Sequence, residues 1–260
     1  MSERTDKAVA QGAMAGDSYS SGAVTIVGAG LAGLSAALTL ARSGIHCTLL
    51  SPQPSERAQS VMAEGGINAA MDLMGENDTL QEHFEETMAG GVWLADPNAV
   101  WGMVQEAPDI VRDLIGLGVP FQVEHGHMIQ RYFGGQKKAR TAYAKSSTGK
   151  VLVTALIDAV RRYEVEGLVK RLTYRELVLL DIDTAQQRTG EPAVCRGVWM
   201  RNVMTDAIEY YPAPVILACG GMGGMFGSVT TGTTYNTGDV AATVFSQGVA
   251  MGNLEMLQSQ

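Results

Sequence analysis

Three glycines near the start of the chain carry the clearest chemical signal. Gly28, Gly30 and Gly33 follow the apolar run VTIV and are spaced as G-x-G-x-x-G. Glycines at this spacing permit a tight turn, close approach of a pyrophosphate to the backbone and close contact between a helix and a strand. A helix that begins here would direct free N–H groups and the positive end of its dipole at the phosphates. The motif predicts that a dinucleotide is bound by residues Gly28, Ala29, Gly30, Leu31, Ala32 and Gly33.

The residue that would bind the ribose of the dinucleotide is unusual. About twenty residues after the glycines, many NAD-dependent dehydrogenases place an acidic side chain. Here the second predicted strand ends in Ser51, which is followed by Pro52. A hydroxyl can hydrogen-bond to a ribose, although more weakly than a carboxylate does. Ser51 is therefore a candidate ribose ligand, and the missing acid argues against a simple NAD-dependent dehydrogenase.

The cysteines and histidines offer little metal or redox chemistry. They are Cys47, Cys195, Cys219, His46, His83, His125 and His127. The cysteines form no C-x-x-C pair, and two of them lie in apolar runs that predict buried thiols in a reducing compartment. His125 and His127 flank a turn glycine without another ligand nearby in sequence, and the other two histidines are interpreted as structural. We predict no metal site.

The hydrophobic pattern predicts the elements that position the glycines and Ser51. Val24–Val27 is a short continuous apolar run, as is typical of a buried parallel strand. A helix is predicted over Leu31–Arg42, ended by Gly44, and a second strand over His46–Ser51. These elements form a β-α-β unit with the glycines in its first turn.

The middle of the chain is predicted to be a helical insert. Asp78 can cap a helix that continues through about Met88, and Asp96-Pro97 can begin another. A third short helix is predicted over Asp109–Leu117, stopped by a glycine. From Thr148 to Tyr163 the apolar residues follow the period of an amphipathic helix.

The last hundred residues are predicted to return to β structure. Strand-like segments lie near residues 168–171, 176–182, 196–201 and 207–211, and are interpreted as a small antiparallel meander. Another buried strand is predicted over Val215–Gly221, and a helix over about Gly238–Gln247. The sequence therefore predicts an α/β fold: a Rossmann-like nucleotide-binding domain with a helical insert and a small meander.

Composition limits the classes of protein and partner. The chain has 260 residues, 46% apolar content and a net charge of −8, which fits a soluble globular protein and disfavours nucleic acid as a partner. Residues 1–22 predict a flexible tail without a secretory signal, and residues 23–260 a single domain. The nearly uncharged run Ala23–Leu40 is interpreted as strand, turn and helix, because glycines interrupt it. Membrane attachment would then depend on a partner.

The segment RAQSVMAEGG resembles a flavin-attachment sequence. It is similar to R-S-H-[ST]-x-x-A-[QE]-G-G of the succinate dehydrogenase and fumarate reductase flavoprotein subunits, in which the histidine is bonded covalently to FAD. Gln59 occupies the histidine position. An amide has no nucleophilic imidazole nitrogen, so the resemblance implies FAD held without a covalent bond. The FAD-binding residues that it implies here are Arg57, Ala58, Gln59, Ser60, Ala63, Glu64, Gly65 and Gly66.

Further segments resemble the same family in the same order. QRYFGGQ resembles its substrate-side loop, which implies that Phe133 lies near a dicarboxylate. LACGG resembles the A-T-G-G end of a strand and implies FAD contacts from Ala218, Cys219 and Gly220. NTGDV resembles N-T-G-D-G, which assigns an FAD contact to Asp239, and NLEMLQ places Gln258 on the substrate side. The family commonly has serine or threonine where this chain has Ser51, often followed by a lysine, which Pro52 replaces here.

The resemblance implies an activity and a setting for the protein. In this family FAD exchanges hydride with a C4 dicarboxylate, and electrons pass to iron–sulfur and membrane-anchor subunits, at the cytoplasmic face of the cell membrane. The next residues of the family pattern would be a substrate-binding histidine and a capping domain. We therefore expect residues 23–260 to be an incomplete, glutathione-reductase-like FAD-binding domain, with the catalytic residues beyond Gln260 and no activity alone. Arg131 and Arg140 are interpreted as structural or phosphate-side arginines.

Two alternatives remain beside this interpretation. L-aspartate oxidase also binds FAD without a covalent bond, but it has glutamate where this chain has Phe133. The second alternative is a non-catalytic FAD-binding module. Because a covalent imidazole substituent raises the flavin potential, Gln59 favours the direction of fumarate reduction.

Overall fold

The computed structural model describes residues 24–183, 192–227 and 229–254. Within these ranges the five α-helices are α1 (Leu31–Arg42), α2 (Leu80–Gly90), α3 (Pro97–Gly116), α4 (Thr148–Val165) and α5 (Asp239–Ser246). The strands are β1 (Val24–Val27), β2 (Cys47–Ser51), β3 (Ile67–Asn68), β4 (Val123–Glu124), β5 (His127–Met128), β6 (Thr141–Ala142), β7 (Val169–Thr173), β8 (Arg175–Asp183), β9 (Val194–Asn202), β10 (Ile208–Tyr211) and β11 (Val215–Leu217). The predicted tail and Gln258 lie outside the described residues.

The chain divides into two compact units. The first unit takes its described residues from the ranges 1–59 and 156–260, and the second unit is residues 60–155. Helix α4 begins in the second unit and ends in the first. The predicted helical insert therefore corresponds to a separate compact unit in the middle of the chain.

A parallel sheet forms the centre of the first unit. Its strand order is β11-β1-β2-β7, and every neighbouring pair is parallel. Ile26, Leu49 and Leu50 are fully buried, as continuous apolar strands in an α/β protein require. Helix α1 buries Leu34 and Ala37. The predicted β-α-β unit and the α/β class are confirmed.

The antiparallel meander has three strands rather than the predicted four. Its order is β10-β9-β8, and Val198, Met200 and Tyr211 contribute to one core with Val27 and Leu50 of the parallel sheet. The prediction was wrong for residues 168–171. That segment forms β7, which pairs in parallel with β2, with Cys47 opposite Val169. A strand that follows a helix commonly joins the parallel sheet, whereas strands joined by short turns pair antiparallel.

Helices α2 and α3 pack together in the second unit. Met88 of α2 is buried with Val100 and Val104 of α3, and the rings of Phe84 and Trp101 meet edge to face at 5.5 Å. No helix among the described residues combines the length and the apolarity that crossing a membrane requires. The apolar run that begins at Val24 is divided between β1 and α1, as predicted.

Two helix boundaries in the second unit differ from the prediction. The cap of α2 is Thr79, whose side chain accepts a hydrogen bond from the Glu82 N–H at 3.1 Å, because Asp78 is engaged elsewhere. Asp96 caps α3 as predicted. The predicted helix at 109–117 is not separate: α3 continues through Pro108. Its buried residues Val104, Ala107, Val111 and Leu114 keep one apolar face, so packing outweighs the hydrogen bond that proline removes.

Candidate functional site

Gly28 and Gly33 shape the turn between β1 and α1 through contacts that exclude a side chain. Gly28 has φ +113°, and a Cβ there would lie 2.1 Å from the Ala218 carbonyl oxygen. A Cβ at Gly33 would lie 1.8 Å from the Gly28 oxygen. Both distances are far below van der Waals contact. The turn and the close contact between helix and strand that the motif predicted are therefore present.

The N-terminus of α1 has features that suit an anionic group. Gly30 is the N-cap residue, in an extended conformation, and no side chain caps the helix. The first turn of α1 contains no acidic residue. Backbone N–H groups at an uncapped helix end, with the helix dipole behind them, suit a phosphate. This geometry fits the pyrophosphate of a dinucleotide.

The carboxyl ends of β2 and β11 carry the next candidates. The Ser51 hydroxyl is buried and donates to the Gln53 carbonyl at 2.7 Å, which leaves its oxygen as an acceptor for a ribose hydroxyl. The Cys219 thiol donates to the Val27 carbonyl at 3.2 Å. Burial raises the pKa of Cys219 to about 11, so this thiol remains protonated and acts in packing.

Asp239 and its neighbours approach the glycines after β11. Asp239 is the first residue of α5, and its carboxylate accepts a hydrogen bond from the Thr237 hydroxyl at 2.8 Å. Gly220 has φ +73°, and a Cβ there would lie 3.2 Å from the Asn236 amide. The structure therefore brings Gly220 and the NTGDV segment together. Asn236 was missed as a candidate, although it opens the motif in which Asp239 was identified.

Gln59 contacts the loop 230–236. Its Oε1 accepts from the Thr233 N–H at 2.5 Å, and its amide lies against Gly232. Neither loop residue was predicted from the sequence, because they are more than 170 positions away and a lone glycine or threonine carries no distinguishing signal. Arg57 ends a single-turn 3-10 helix and is exposed, followed by Ala58 in an extended conformation.

In the second unit, hydrogen bonds to the backbone fix the segment Ala63–Gly66. The Gly149 N–H donates to the Ala63 carbonyl at 2.7 Å, and the Thr148 hydroxyl to the Glu64 carbonyl at 3.4 Å. Arg131 donates to the Gly65 carbonyl at 2.7 Å. Donors at the N-terminus of α4 and one arginine side chain therefore hold the segment through its carbonyl groups.

Phe133 packs directly on Gly65. A Cβ at Gly65 would lie 2.7 Å from the Phe133 ring, and Phe133 is 43% exposed. The Arg131 guanidinium carbon lies 5.2 Å from the centroid of Phe133 and 4.2 Å from that of Tyr143. Arg131 therefore supports both the Phe133 ring and the Ala63–Gly66 segment. The structural interpretation of Arg131 fits these contacts.

Arg140 belongs to a buried ionic cluster. It is 1% exposed, and its guanidinium binds both carboxylate oxygens of Asp78, at 2.7 and 3.2 Å. The Oε2 atom of a second carboxylate, Glu86, lies 3.1 Å from the Arg140 Nη1 atom. Desolvation, opposed by Arg140, raises the pKa of Asp78. This arginine is therefore structural, which is one of the two roles proposed for it from the sequence.

The histidines that flank Gly126 lie in a tight hairpin. His125 and Gly126 both have positive φ and form the turn between β4 and β5. In the described part of the chain, no group of three or more His, Cys, Asp or Glu side chains is placed to hold a metal ion.

A parallel sheet whose first strand leads through a glycine turn into an uncapped helix defines a dinucleotide-binding α/β protein. The chain belongs to the FAD binding domain family, whose model matches residues 23–260. The predicted Rossmann-like FAD-binding fold and the predicted resemblance are confirmed.

Several characterised relatives are flavoproteins. The chain is 39% identical to the succinate dehydrogenase flavoprotein subunit of Bacillus subtilis, over 92% of this chain and 40% of the relative. It is 36% identical to L-aspartate oxidase of Streptomyces coelicolor, over 90% of the chain and 39% of that relative. The 8-methylmenaquinol:fumarate reductase flavoprotein subunit of Wolinella succinogenes is 32% identical, over 90% of the chain and 37% of that relative.

Solved structures show the same similarity. The Mycobacterium smegmatis Sdh1 complex in the apo form matches with a TM-score of 0.78 and 29% identity, covering 86% of this chain and 38% of that chain. A quinol-fumarate reductase with menaquinol molecules matches with a TM-score of 0.76 and 28% identity, covering 87% of this chain and 37% of that chain. The chain thus spans about two fifths of the length of the relatives that it matches.

Proposed function

We propose that this chain is the FAD-binding part of a flavoprotein that transfers hydride between FAD and a C4 dicarboxylate. The observation that carries the proposal is the packing of Phe133 on Gly65, which joins the substrate-side loop to the flavin-attachment segment. The similarity to succinate dehydrogenase and fumarate reductase flavoproteins supports the same assignment.

The residues present fit FAD at several places. Gly28–Gly33 and the N-terminus of α1 would hold the pyrophosphate, and Ser51 would accept from the ribose. Asp239, Asn236 and the turn at Gly220 are further candidates for contacts with FAD. When bound, FAD supplies the hydride chemistry at its N5 atom. The residues of this chain bind and orient it.

The segment Ala63–Gly66 is suited to lie close to a flat ring. The missing side chains of Gly65 and Gly66 let the segment pack closely against the protein: a Cβ would lie 2.7 Å from Phe133 at Gly65 and 2.4 Å from Thr141 at Gly66, where φ is +128°. Its carbonyl groups are held by Thr148, Gly149 and Arg131, so the backbone is fixed before a ligand arrives. Such preorganisation lowers the cost of binding.

The flavin is proposed to be held without a covalent bond. Gln59 has an amide in place of a nucleophilic imidazole, and its oxygen already accepts a hydrogen bond from Thr233. A flavin without the imidazole substituent has a lower potential and gives up electrons more readily. This supports fumarate reduction as the favoured direction.

The setting of the activity is part of the proposal. The relative from Wolinella succinogenes is named as the flavoprotein part of a menaquinol-linked fumarate reductase. By analogy, the flavoprotein to which this chain belongs would exchange electrons with an iron–sulfur partner. A membrane-anchor partner would hold the protein at the cytoplasmic face of the membrane.

Substrate turnover by the full-length protein tests the assignment. We expect reduction of fumarate by a reduced viologen dye, slower oxidation of succinate, and no oxidation of L-aspartate. An amino substrate needs a carboxylate to bind its ammonium group, and Phe133 cannot supply one. Aspartate turnover faster than fumarate turnover would instead assign an L-aspartate oxidase. Phe133→Glu, with Phe133→Leu as its control, should weaken fumarate binding far more than the leucine variant does.

A further inference from the structure

The side chain of Gln59 is fixed on two sides by the loop 230–236. Its Oε1 accepts from the Thr233 N–H at 2.5 Å. A Cβ added at Gly232 would lie 2.8 Å from Nε2 and 2.9 Å from Oε1, so the amide lies flat against this glycine. Because a backbone N–H requires an acceptor, the amide must direct its oxygen toward Thr233.

Two hydrogen bonds inside the loop are local. Thr230 accepts from the Gly232 N–H, and Thr233 accepts from the Tyr235 N–H, each at 3.2 Å. Such bonds shape a turn without fixing its position in the protein. The bond to Gln59 joins the middle of the loop to the segment that follows β2, 174 positions earlier in the chain.

The end of the loop reaches other candidate FAD residues. Asn236 contacts Gly220, and its carbonyl accepts from the Gly224 N–H at 2.8 Å. Asp239 follows three residues later at the start of α5. A shift of Gly232 and Thr233 would therefore be transmitted along a short segment to these positions.

We propose that Gln59 is a positioning residue that holds the loop 230–236 in the arrangement that receives FAD. In place of a covalent bond from this position to the cofactor, a hydrogen bond within the protein orders the site. The inference rests on the proposed FAD binding. It assigns the decisive contact to the side-chain oxygen and not to the Nε2 hydrogens.

Two pairs of variants of the full-length protein test this role. Gln59→Glu keeps an acceptor for Thr233, whereas Gln59→Met keeps the length of the side chain and removes the acceptor. Gly232→Ala displaces the amide by its Cβ, whereas Gly227→Ala adds a Cβ 3.6 Å from the nearest atom, at ordinary contact distance. The second pair leaves position 59 unchanged.

The first measurement is amide hydrogen exchange of the peptide that covers the loop, without FAD. Exchange should become about fivefold faster in Gln59→Met and Gly232→Ala, the factor that corresponds to one net hydrogen bond, and should stay unchanged in Gln59→Glu and Gly227→Ala. Unchanged exchange in both Gln59→Met and Gly232→Ala would overturn the proposal.

The second measurement is the affinity for FAD, from quenching of flavin fluorescence. Gln59→Met and Gly232→Ala should bind FAD about fivefold more weakly, and Gly227→Ala about as well as the natural protein. A loss in Gln59→Met without a comparable loss in Gly232→Ala would overturn the proposal, because it would assign the effect to a direct contact of Gln59 with FAD and not to the position of the loop. A natural protein that binds no FAD would contradict the proposed function, while the exchange measurement would still decide whether Gln59 holds the loop.

Discussion

At the scale of single residues, spacing predicts chemistry well when the contacts are local. The glycine motif predicted the turn at Gly28 and the close contact at Gly33, and the structure contains both. The reason is that the strand, the turn and the helix are adjacent in sequence. By contrast, the atom that excludes a side chain at Gly28 belongs to Ala218, at the end of β11.

Replacing Gly33 by alanine tests the turn. Alanine inside a helix normally stabilises a protein relative to glycine by up to about 1 kcal/mol. At Gly33 the added Cβ would lie 1.8 Å from the Gly28 oxygen, so we expect the free energy of unfolding to fall instead, by about 2 kcal/mol. Affinity for FAD should fall as well. Denaturant unfolding and flavin titration measure the two effects.

A second helical glycine provides the matched control. Gly102 lies within α3, and a Cβ there would meet nothing within 4 Å. Gly102→Ala should therefore raise the free energy of unfolding slightly and leave FAD binding unchanged. If both alanine variants were stabilised, the tight contact at Gly33 would be contradicted.

At the scale of elements, periodicity predicted where most helices and strands lie. It failed where a distant partner decides the outcome. The predicted strand at residues 168–171 was assigned to the wrong sheet, because the edge of β2 with which β7 pairs is far away in sequence. Likewise, a separate helix was predicted over Asp109–Leu117, but the buried face of α3 continues on both sides of Pro108.

The buried histidine of α2 should make stability depend on pH. Desolvation, with the nearby charge of Arg140, lowers the pKa of His83 from 6.5 to about 4. As the pH falls below 6.5, His83 becomes protonated in the unfolded chain, whereas in the folded protein it stays neutral until about pH 4. The free energy of unfolding should therefore decrease as the pH falls from 6.5 toward 4. We expect a loss of about 2 kcal/mol over this range.

Comparison with His83→Gln isolates this effect. Asp78 and Glu86 also belong to the cluster around Arg140, and the raised pKa of Asp78 acts in the opposite direction, because the folded protein then binds a proton more readily as the pH falls. Both carboxylates are present in the variant. Denaturant unfolding at several pH values should show a smaller loss at acid pH in His83→Gln. An identical pH dependence would show that His83 does not titrate in this way.

At the scale of the whole molecule, the proposed non-covalent binding of the flavin would distinguish this protein from members of the family that bind FAD covalently. Acid precipitation of the full-length protein should release all its flavin into the supernatant, because Gln59 offers no nucleophile. Absorbance of the supernatant and the pellet measures the distribution. Flavin that stays with the denatured pellet would contradict this prediction, and denaturation in guanidinium at neutral pH provides a control for trapped cofactor.

The sequence by itself determined the class of fold, the glycine turn, the family of FAD-binding proteins and the absence of a histidine at position 59. These features depend on residue type and on spacing within short segments. Only the tertiary structure decided that Gln59 accepts a hydrogen bond from Thr233, 174 positions later in the sequence. It also decided that Arg131 donates to the carbonyl of Gly65 and that Arg140 is buried with Asp78. Contacts between distant segments depend on how the whole chain packs, and a local pattern carries no information about them.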